Sequence, residues 1–380
     1  PGSQPCLVVC PASLGENWRR EALRFVPEFK VVVHRGAKRA RKATDLAGAD
    51  LIIISYQLLA RDLAMFREMR FACVIGDEGQ HIKNPRSQVA KAMFTLRSDG
   101  RFLLTGTPVE NSINDLLSLL DFLMPGGWRK IPSDVRGDER AWHEQRILKQ
   151  AAPYILRRAK VDVAPELPEK IEQVVYVDMT EEQRITYQQA KTSAEKEINK
   201  LEESGVAEGA IRMKTLTQLL RLRQTCCDPR LLDESFPAEQ SAKLNAFREL
   251  LYTCLEGNHR MLVFSQFVQV LQLLKAELEA ASLPFCYLDG SSKDRMAQVD
   301  RFQEDESVSV FLISLKAGGT GLNLTAADVV VHFDPWWNPA VENQATDRAF
   351  RIGQTRTVNV HKMITTGTLE ERIDQMIEQK

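Results

Sequence analysis

The sequence predicts an α/β protein made of two parallel-sheet blocks with a helical segment between them. Three observations lead there. Short, continuous, β-branched apolar runs alternate with helical patterns in the first third, the last third repeats the habit, and the middle carries no strand signal. Runs that are apolar throughout belong to strands covered on both faces, as in parallel sheets. At 380 residues the chain is long enough for two or three domains, each with its own core. The expected division is 1–165 for the first block, 166–240 for a linker and helical protrusion, and 241–380 for the second block.

In the first block the expected strands are Cys6–Cys10, Val31–His34, Leu51–Ser55, Cys73–Gly76 and Phe102–Thr105. From about Glu181 to Leu232 the chain is polar and helix-prone. Two helices, Gln183–Leu201 and Ile211–Leu222, flank the small polar break Glu202-Glu203-Ser204-Gly205. The second block supplies Met261–Phe264, Phe285–Leu288, Val308–Ser314, Val329–Phe333 and Val358–Ile364. A capping box, Thr368-x-x-Glu371, opens a last helix within which the sequence stops, so the chain is expected to continue in a parent protein.

Composition narrows the function. The hydrophobic content is 44% and the net charge is −1, which excludes a polycationic wrapper of nucleic acid but not local phosphate contacts. No apolar run approaches the roughly 20 residues that cross a bilayer, and no secretory leader opens the chain, so no membrane partner is expected. None of the seven cysteines forms a C-x-x-C pair, and most sit in apolar strand-like runs. Buried, reduced thiols of a cytoplasmic protein are expected, nucleoid-associated in a bacterium or nuclear in a eukaryote. Arg35, Lys38, Arg39, Arg41 and Lys42 lie together with no acidic residue among them, either a phosphate-tracking surface or a solvated face.

Four motifs carry chemistry. Asp77-Glu78-Gly79-Gln80 follows an apolar strand, and ligands of open α/β sheets bind at the carboxyl ends of strands. One carboxylate there can hold Mg²⁺ while the next orients an attacking water, as phosphoryl transfer requires. By itself Asp-Glu after a strand is common. Thr105-Gly106-Thr107-Pro108 follows another strand at the same sheet edge. In the second block, Lys316-Ala317-Gly318-Gly319-Thr320-Gly321 follows a strand, and its glycines let backbone amides approach phosphates. Asn338-Pro339 is a good N-cap and first-turn pair. The helix it opens is expected to carry Gln344, Arg348 and Arg351 on one face, at spacings of four and three.

Taken in order, these elements resemble the Swi/Snf branch of the superfamily-two helicase-like motors. Leu7–Ser13 with Trp18 resembles motif Ia, and Asp77–Gln80 motif II. Leu104–Pro108 with Glu110-Asn111 resembles motif III. Ile155-Leu156-Arg157-Arg158 with Lys160 and Leu167-Pro168 resembles the inter-lobe block. Met261–Phe267 is similar to motif IV, and Leu288-Asp289-Gly290-Ser291 to the element after it. Lys316–Leu324 resembles motif V, with Asp334-Pro335-Trp336-Trp337 behind it, and Gln344–Gln354 resembles motif VI. The resemblance runs from about residue 6 to the end.

The resemblance implies two RecA-like lobes, ATP and Mg²⁺ as cofactors, and double-stranded DNA as partner. It implies Asp77 as the metal ligand, Glu78 as the residue orienting water, and Arg348 and Arg351 as catalytic arginines. Gln80, Thr105, Gly106, Gly319, Gly321 and Gln344 would contact the nucleotide. Ser13, Ser55, Tyr56, Ser265, Gln266, Lys316 and Trp337 would lie on the DNA side. Two departures stand out. Gln80 occupies the place of a histidine and is expected to make the same coupling contact. The phosphate-binding pattern G-x-x-x-x-G-K-[ST] is absent, the sequence containing no Gly-Lys dipeptide. With only five residues ahead of Cys6, the first lobe is expected to lack its P-loop strand. The expected function is therefore the core of an ATP-dependent DNA translocase, a DNA-dependent ATPase by family. By itself the chain is expected to be inactive, with the P-loop supplied by a separate polypeptide or a missing segment. A DNA-bound protein complex is its expected target. The competing class is a catalytically inactive DNA-binding scaffold or regulatory subunit.

Overall fold

The computed structural model describes residues 4–106, 113–129, 131–132, 135–158, 164–204, 206–318 and 321–378. The chain divides into two compact units, Pro1–Ala159 and Lys160–Lys380.

The first unit holds strands β1 (Cys6–Cys10), β2 (Val31–His34), β3 (Leu51–Ser55), β4 (Arg70–Asp77) and β5 (Arg97–Leu104) in the order β2-β3-β1-β4-β5. Every pairing is parallel. Side chains alternate across a strand, so each apolar run feeds two cores. Leu7, Val9, Ile52 and Ile54 pack with Phe66, Phe71 and Met93 on one face. Val8, Cys10, Leu51 and Ile53 pack with Leu14 and Trp18 on the other. Trp18 belongs to helix α1 (Gly15–Phe25). Beyond β3 the chain turns into α2 (Tyr56–Arg61) and α3 (Leu63–Phe66); α4 (Gln88–Thr95), α5 (Ile113–Leu123) and α6 (Gly137–Ala151) follow. Among the described residues β5 ends the sheet with a free edge, and its Phe102 and Leu104 are 57% and 46% exposed.

The second unit holds a six-stranded sheet ordered β6-β11-β10-β7-β9-β8, again wholly parallel. Its strands are β6 (Lys170–Val177), β7 (Met261–Ser265), β8 (Phe285–Leu288), β9 (Val310–Ser314), β10 (Val329–His332) and β11 (Val358–Thr365). The helices are α7 (Glu181–Glu203), α8 (Glu208–Cys227), α9 (Ala242–Glu256), α10 (Val268–Ala280), α11 (Arg295–Glu304), α12 (Leu315–Gly318), α13 (Pro339–Thr346) and α14 (Leu369–Glu378).

All ten expected strands form, most with ends within three residues of the expectation, while β5 starts five residues earlier, at Arg97 in place of Phe102. Strand β6 was not expected. It pairs with β11 along its full length, Lys170 opposite Val358 through Val177 opposite Thr365. An edge strand needs no continuous apolar run, and Val174 and Tyr176 remain exposed. The two expected helices appear as α7 and α8, with Thr180 capping the first by accepting from Gln183 N–H. They are packed into the second unit, where Tyr187, Leu222 and Cys226 meet Leu369 of α14. At the start of α14 the Thr368 hydroxyl accepts from Glu370 N–H, and the Glu371 carboxylate accepts from Gly367 N–H. All seven cysteines are free thiols. Among the described residues no helix is long and apolar enough to cross a membrane.

The basic stretch is not one uniform surface. Arg39 is largely covered and forks onto the Asp62 carboxylate, which also meets His34 Nε2 at 2.8 Å. These bonds, chiefly the one from Arg39, hold the Asp62 carboxyl down at about 2. Lys38, Arg41 and Lys42 are exposed.

The second unit is tied to its last helix by a wholly buried ion pair. Lys243 on α9 donates to the carbonyls of Phe333 and Met363 at 2.8 and 2.9 Å, and its Nζ lies 2.7 Å from Glu370 Oε2. The same oxygen accepts from Thr365 N–H, so strand β11 and helix α14 share one carboxylate.

Both sets of charges are open to measurement. Lys243→Met strands the Glu370 carboxylate and lowers stability of the second unit by about 3–5 kcal/mol, whereas adding Glu370→Leu recovers much of that difference; urea unfolding of the three proteins measures both. A carboxyl depressed by folding adds stability above its unfolded value, and that stability is lost as pH falls. The wild type therefore loses stability between about pH 4 and pH 2, and Arg39→Gln loses less over that window. Equal pH slopes for the two proteins would contradict Arg39 as the cause.

Candidate functional site

Parallel pairing places the carboxyl ends of β1, β3, β4 and β5 along one edge of the first sheet. Asp77 ends β4 there. Its Oδ2 accepts from Trp18 Nε1 at 2.8 Å and its Oδ1 from the backbone N–H of Glu78 at 2.9 Å. Tyr56, at the end of β3, donates from its hydroxyl to the Asp77 carbonyl at 2.7 Å. Both carboxylate oxygens are thus oriented by neutral donors. The negative field is felt nearby: burial, aided by Asp77, pushes the Cys10 thiol up to about 12 and raises the Tyr56 phenol as well.

Glu78 adopts the left-handed backbone conformation, φ 53° and ψ 54°. A non-glycine residue there carries about 1–3 kcal/mol of strain, and such residues gather at functional sites. Gly76, two residues earlier, admits no side chain, since a Cβ would lie 2.7 Å from Leu103 Cδ2 and 3.2 Å from the Tyr56 hydroxyl. Leu103 of β5 thus packs directly beneath the motif. Gln80 then links the two strands. Its Nε2 donates to Glu78 Oε2 at 2.7 Å, and its Oε1 accepts from the Thr105 hydroxyl at 2.8 Å. Gly106 lies exposed beside Thr105. Thr107, Pro108, Glu110, Asn111 and Lys160 fall outside the described residues.

The donor set fits one divalent cation of the magnesium type. Asp77 is a fixed carboxylate whose hydrogen-bond donors are neutral, and Glu78 stands next to it. Among the described residues no cluster of three or more acidic, histidine or cysteine side chains forms a closed cage. Magnesium asks for no such cage, because it keeps waters and phosphate oxygens as ligands.

In the second unit the corresponding edge is built from β7, β9 and β10. Asp334, wholly buried after β10, accepts from the Ser265 hydroxyl and from Gln266 Nε2 at 2.6 Å. Burial raises its carboxyl above the usual range, against the pull of Arg223 and the Ser265 hydrogen bond. Arg223 on α8 reaches in with its Nη1 3.0 Å from Gln266 Oε1, a second donation to the Pro335 carbonyl, and its Nη2 3.7 Å from Asp334. Its guanidinium stacks 5.4 Å from the Trp337 ring centre, with Phe267 and Trp336 also in range.

Several expected placements need correction. Tyr56 is 1% exposed and Ser265 is fully buried, so neither presents its side chain to DNA; each orients a neighbouring carboxylate or carbonyl instead. The Ser55 hydroxyl caps α2 by accepting from Leu58 N–H. Gln344 lies in α13, but that helix ends at Thr346, so Arg348 and Arg351 do not share its face. The backbone tightens into turns, with Arg348 N–H bonding to Ala345 and Arg351 N–H to Ala349. Arg348 is buried and Arg351 is exposed. Gln354, named in the motif VI resemblance but given no role there, holds these turns: its amide donates to the carbonyls of Thr325, Ala327 and Ala349. Lys316 is exposed on α12, Ser13 is half-buried and Trp337 is 42% exposed. Gly321 takes a left-handed φ of 70°, and Gly319 lies outside the described residues. Arg223 was missed altogether, and Trp18 was named with motif Ia but not as a partner of Asp77. Their spacing gives no signal, because each acts on a partner far away in sequence.

Comparison with known proteins bears on all of this. Residues 1–231 match the SNF2-related domain, and residues 242–353 match the helicase conserved C-terminal domain. The chain is 37% identical to an uncharacterized ATP-dependent helicase of Mycoplasma genitalium over 99% of its length, covering 36% of that protein. It is 39% identical to a putative ATP-dependent helicase/translocase of Bacillus subtilis, again over 99% of its length and covering 42% of that protein. Among solved structures, the Sulfolobus solfataricus SWI2/SNF2 ATPase core in complex with dsDNA is 35% identical, with 99% of this chain and 80% of that chain covered and a TM-score of 0.48. The chain thus spans under half the length of these curated relatives.

Proposed function

The chain belongs to the SNF2-related family of helicase-like proteins, and from that premise we propose that it is the core of an ATP-dependent double-stranded DNA translocase. The observation that carries the reading is the first sheet edge, where Asp77 is fixed by Trp18 and Glu78 is joined through Gln80 to Thr105. ATP and Mg²⁺ are the cofactors proposed. Magnesium, when bound with the nucleotide, neutralises charge on the phosphates and aligns them. Asp77 supplies the protein's ligand to it. Glu78 accepts a hydrogen bond from the attacking water and directs its lone pair at the terminal phosphorus. Gln80 holds the Glu78 carboxylate and senses the end of β5 through Thr105. Arg348 and Arg351 are proposed as catalytic arginines, with Gly106, Gly319, Gly321 and Gln344 as further nucleotide contacts.

The 380 residues contain no Gly-Lys dipeptide, and hence no P-loop lysine. We propose that a segment outside them supplies that loop, fused or as a separate polypeptide. The free edge of β5 supports this. The faces of a parallel sheet are normally covered, yet Phe102 and Leu104 on this last strand stand open, apolar surface that such a segment would cover. On the DNA side the proposed contacts are Trp337, Gln266, Lys316 and Ser13, aided by Lys38, Arg41 and Lys42. A DNA-bound protein is the proposed target of translocation.

The decisive measurement is phosphate release, with and without duplex DNA, after a P-loop segment is added or fused ahead of Cys6. The chain by itself hydrolyses ATP little, and the reconstituted protein does so in response to DNA. Arg348→Ala or Arg351→Ala then lowers turnover by about 10³-fold or more with DNA affinity nearly unchanged, and Glu78→Gln does the same. A catalytically inactive scaffold gives no hydrolysis after reconstitution.

Salt provides the second check. Binding driven by phosphate neutralisation is independent of sequence and weakens steeply with salt. Neutralising Lys38, Arg41 and Lys42 together shallows the slope by about 0.9 for each DNA phosphate that these side chains pair with. Arg39 is left out because it holds Asp62. An unchanged slope assigns the stretch to a solvated face.

A further inference from the structure

We infer that Arg223, on helix α8, is the positioning residue that holds Gln266 and Trp337 in the arrangement from which they meet DNA. The inference rests on the proposed DNA-side role of those two residues. Nothing in the sequence brings them together: Arg223 lies 43 residues before Gln266 and 112 before Pro335.

The geometry is that of a bracket. One guanidinium, 3% exposed, spans two loops at once. It donates to the Gln266 side chain at 3.0 Å and to the Pro335 carbonyl, and lies beneath the Trp337 ring at 5.4 Å. Gln266 completes a closed circuit, because its amide nitrogen donates to Asp334 while its amide oxygen accepts from Arg223. Rotating Gln266 would break both bonds.

A cation buried this far needs a compensating charge, and Asp334 supplies it. The pair is not optimised for pairing alone, however. The Nη2–carboxylate distance is 3.7 Å, and Nε has no hydrogen-bond partner among the described residues. The fork's two terminal nitrogens are directed at the loops. That choice sacrifices the bidentate Arg–carboxylate geometry that stability by itself would favour. It serves to fix Gln266 and the Pro335–Trp337 segment relative to each other. Trp337 meanwhile keeps 42% of its surface in solvent, so the cation steadies a ring that remains available to a ligand. Lysine cannot replace this arrangement, since a single ammonium cannot form a planar fork and stack at once.

The test uses the 380-residue chain, a fluorescently labelled DNA duplex and urea unfolding run in parallel. Trp337→Ala and Gln266→Ala weaken DNA binding. Arg223→Lys, which keeps the buried cation, weakens it by about tenfold, the size of one charge-assisted hydrogen bond, while the unfolding midpoint moves little. The informative readout is coupling: Arg223→Lys in a background carrying both Trp337→Ala and Gln266→Ala causes little further loss, because the residue acts through those two side chains. Should Arg223→Lys fail to fold, Asp334→Asn keeps the shape but removes the ionic partner and one of the two oxygens that accept from Ser265 and Gln266, and it is expected to show the same loss and the same coupling. Wild-type affinity in Arg223→Lys alongside a weakened Trp337→Ala overturns the inference, and so do strictly additive losses. Wild-type affinity in both Trp337→Ala and Gln266→Ala overturns the DNA-side assignment itself, and the inference with it.

Discussion

Parallel strand pairing is the constraint on which the rest of this molecule depends. Every strand in both sheets pairs in parallel, so all carboxyl ends within a sheet emerge at one edge. Both faces of such a sheet must be covered by apolar contacts, which leaves that edge and its loops as the place for polar chemistry. Asp77 and Thr105 in the first unit, and Ser265, Ser314 and Asp334 in the second, sit where they do for this one reason. The same constraint explains why so few residues separate apolar strand from functional side chain. Ile75 is partly buried against the core, and Asp77 two residues later is already at the site.

The two edges handle buried charge in opposite ways. In the first unit the Asp77 carboxylate is held by two neutral N–H donors, which fix its position without cancelling its charge. A carboxylate so prepared still attracts a cation from solution. In the second unit, Asp334 faces a buried guanidinium and Glu370 faces a buried ammonium. Those charges are already met. What they provide is alignment: removing either partner leaves an uncompensated charge in the interior, so the loops and helices they join have little freedom to drift. The chemistry to hand therefore differs: the first edge is suited to binding a cation, the second to holding surfaces in register.

Most of the fold was legible because continuous β-branched runs such as Leu51–Ser55 and Val310–Ser314 have few alternatives to a covered parallel strand. The motif residues were legible as far as they follow such strands. Strand β6 was not, because its sequence KIEQVVYV mixes charged and apolar residues as an edge position permits. The arginines of the last motif were misplaced for a different reason. Their four-and-three spacing fits a helix, but tertiary partners take over the backbone groups: Leu324 N–H bonds to the Arg348 carbonyl, and the Gln354 amide to the Ala349 carbonyl. Local periodicity cannot anticipate such replacements. Nor can it anticipate Trp18 reaching Asp77 across 59 residues, or Arg223 reaching Pro335 across 112.

Strand β5 emerges from these contacts as the element on which the first site turns. Leu103 fills the space left by Gly76 and Gly79, the residues on either side of the Asp77-Glu78 pair, whose Glu78 is left-handed. Thr105 at the strand's end fixes Gln80, which in turn fixes the Glu78 carboxylate. Along one side β5 pairs with β4, and along the other it is open among the described residues. Any shift of β5 along or away from β4 must therefore move the floor under Glu78 and the bond to Gln80 together. A left-handed glutamate persists only while its surroundings over-determine it, and β5 contributes to them through Leu103 beside Gly76 and Gly79 and through Thr105 on Gln80. On the proposed reading, a strand that joined the open edge and brought phosphate-binding amides with it would also set β5. Completion of the nucleotide site and alignment of Glu78 would then be one mechanical event, transmitted through Leu103 and Thr105 rather than through the nucleotide.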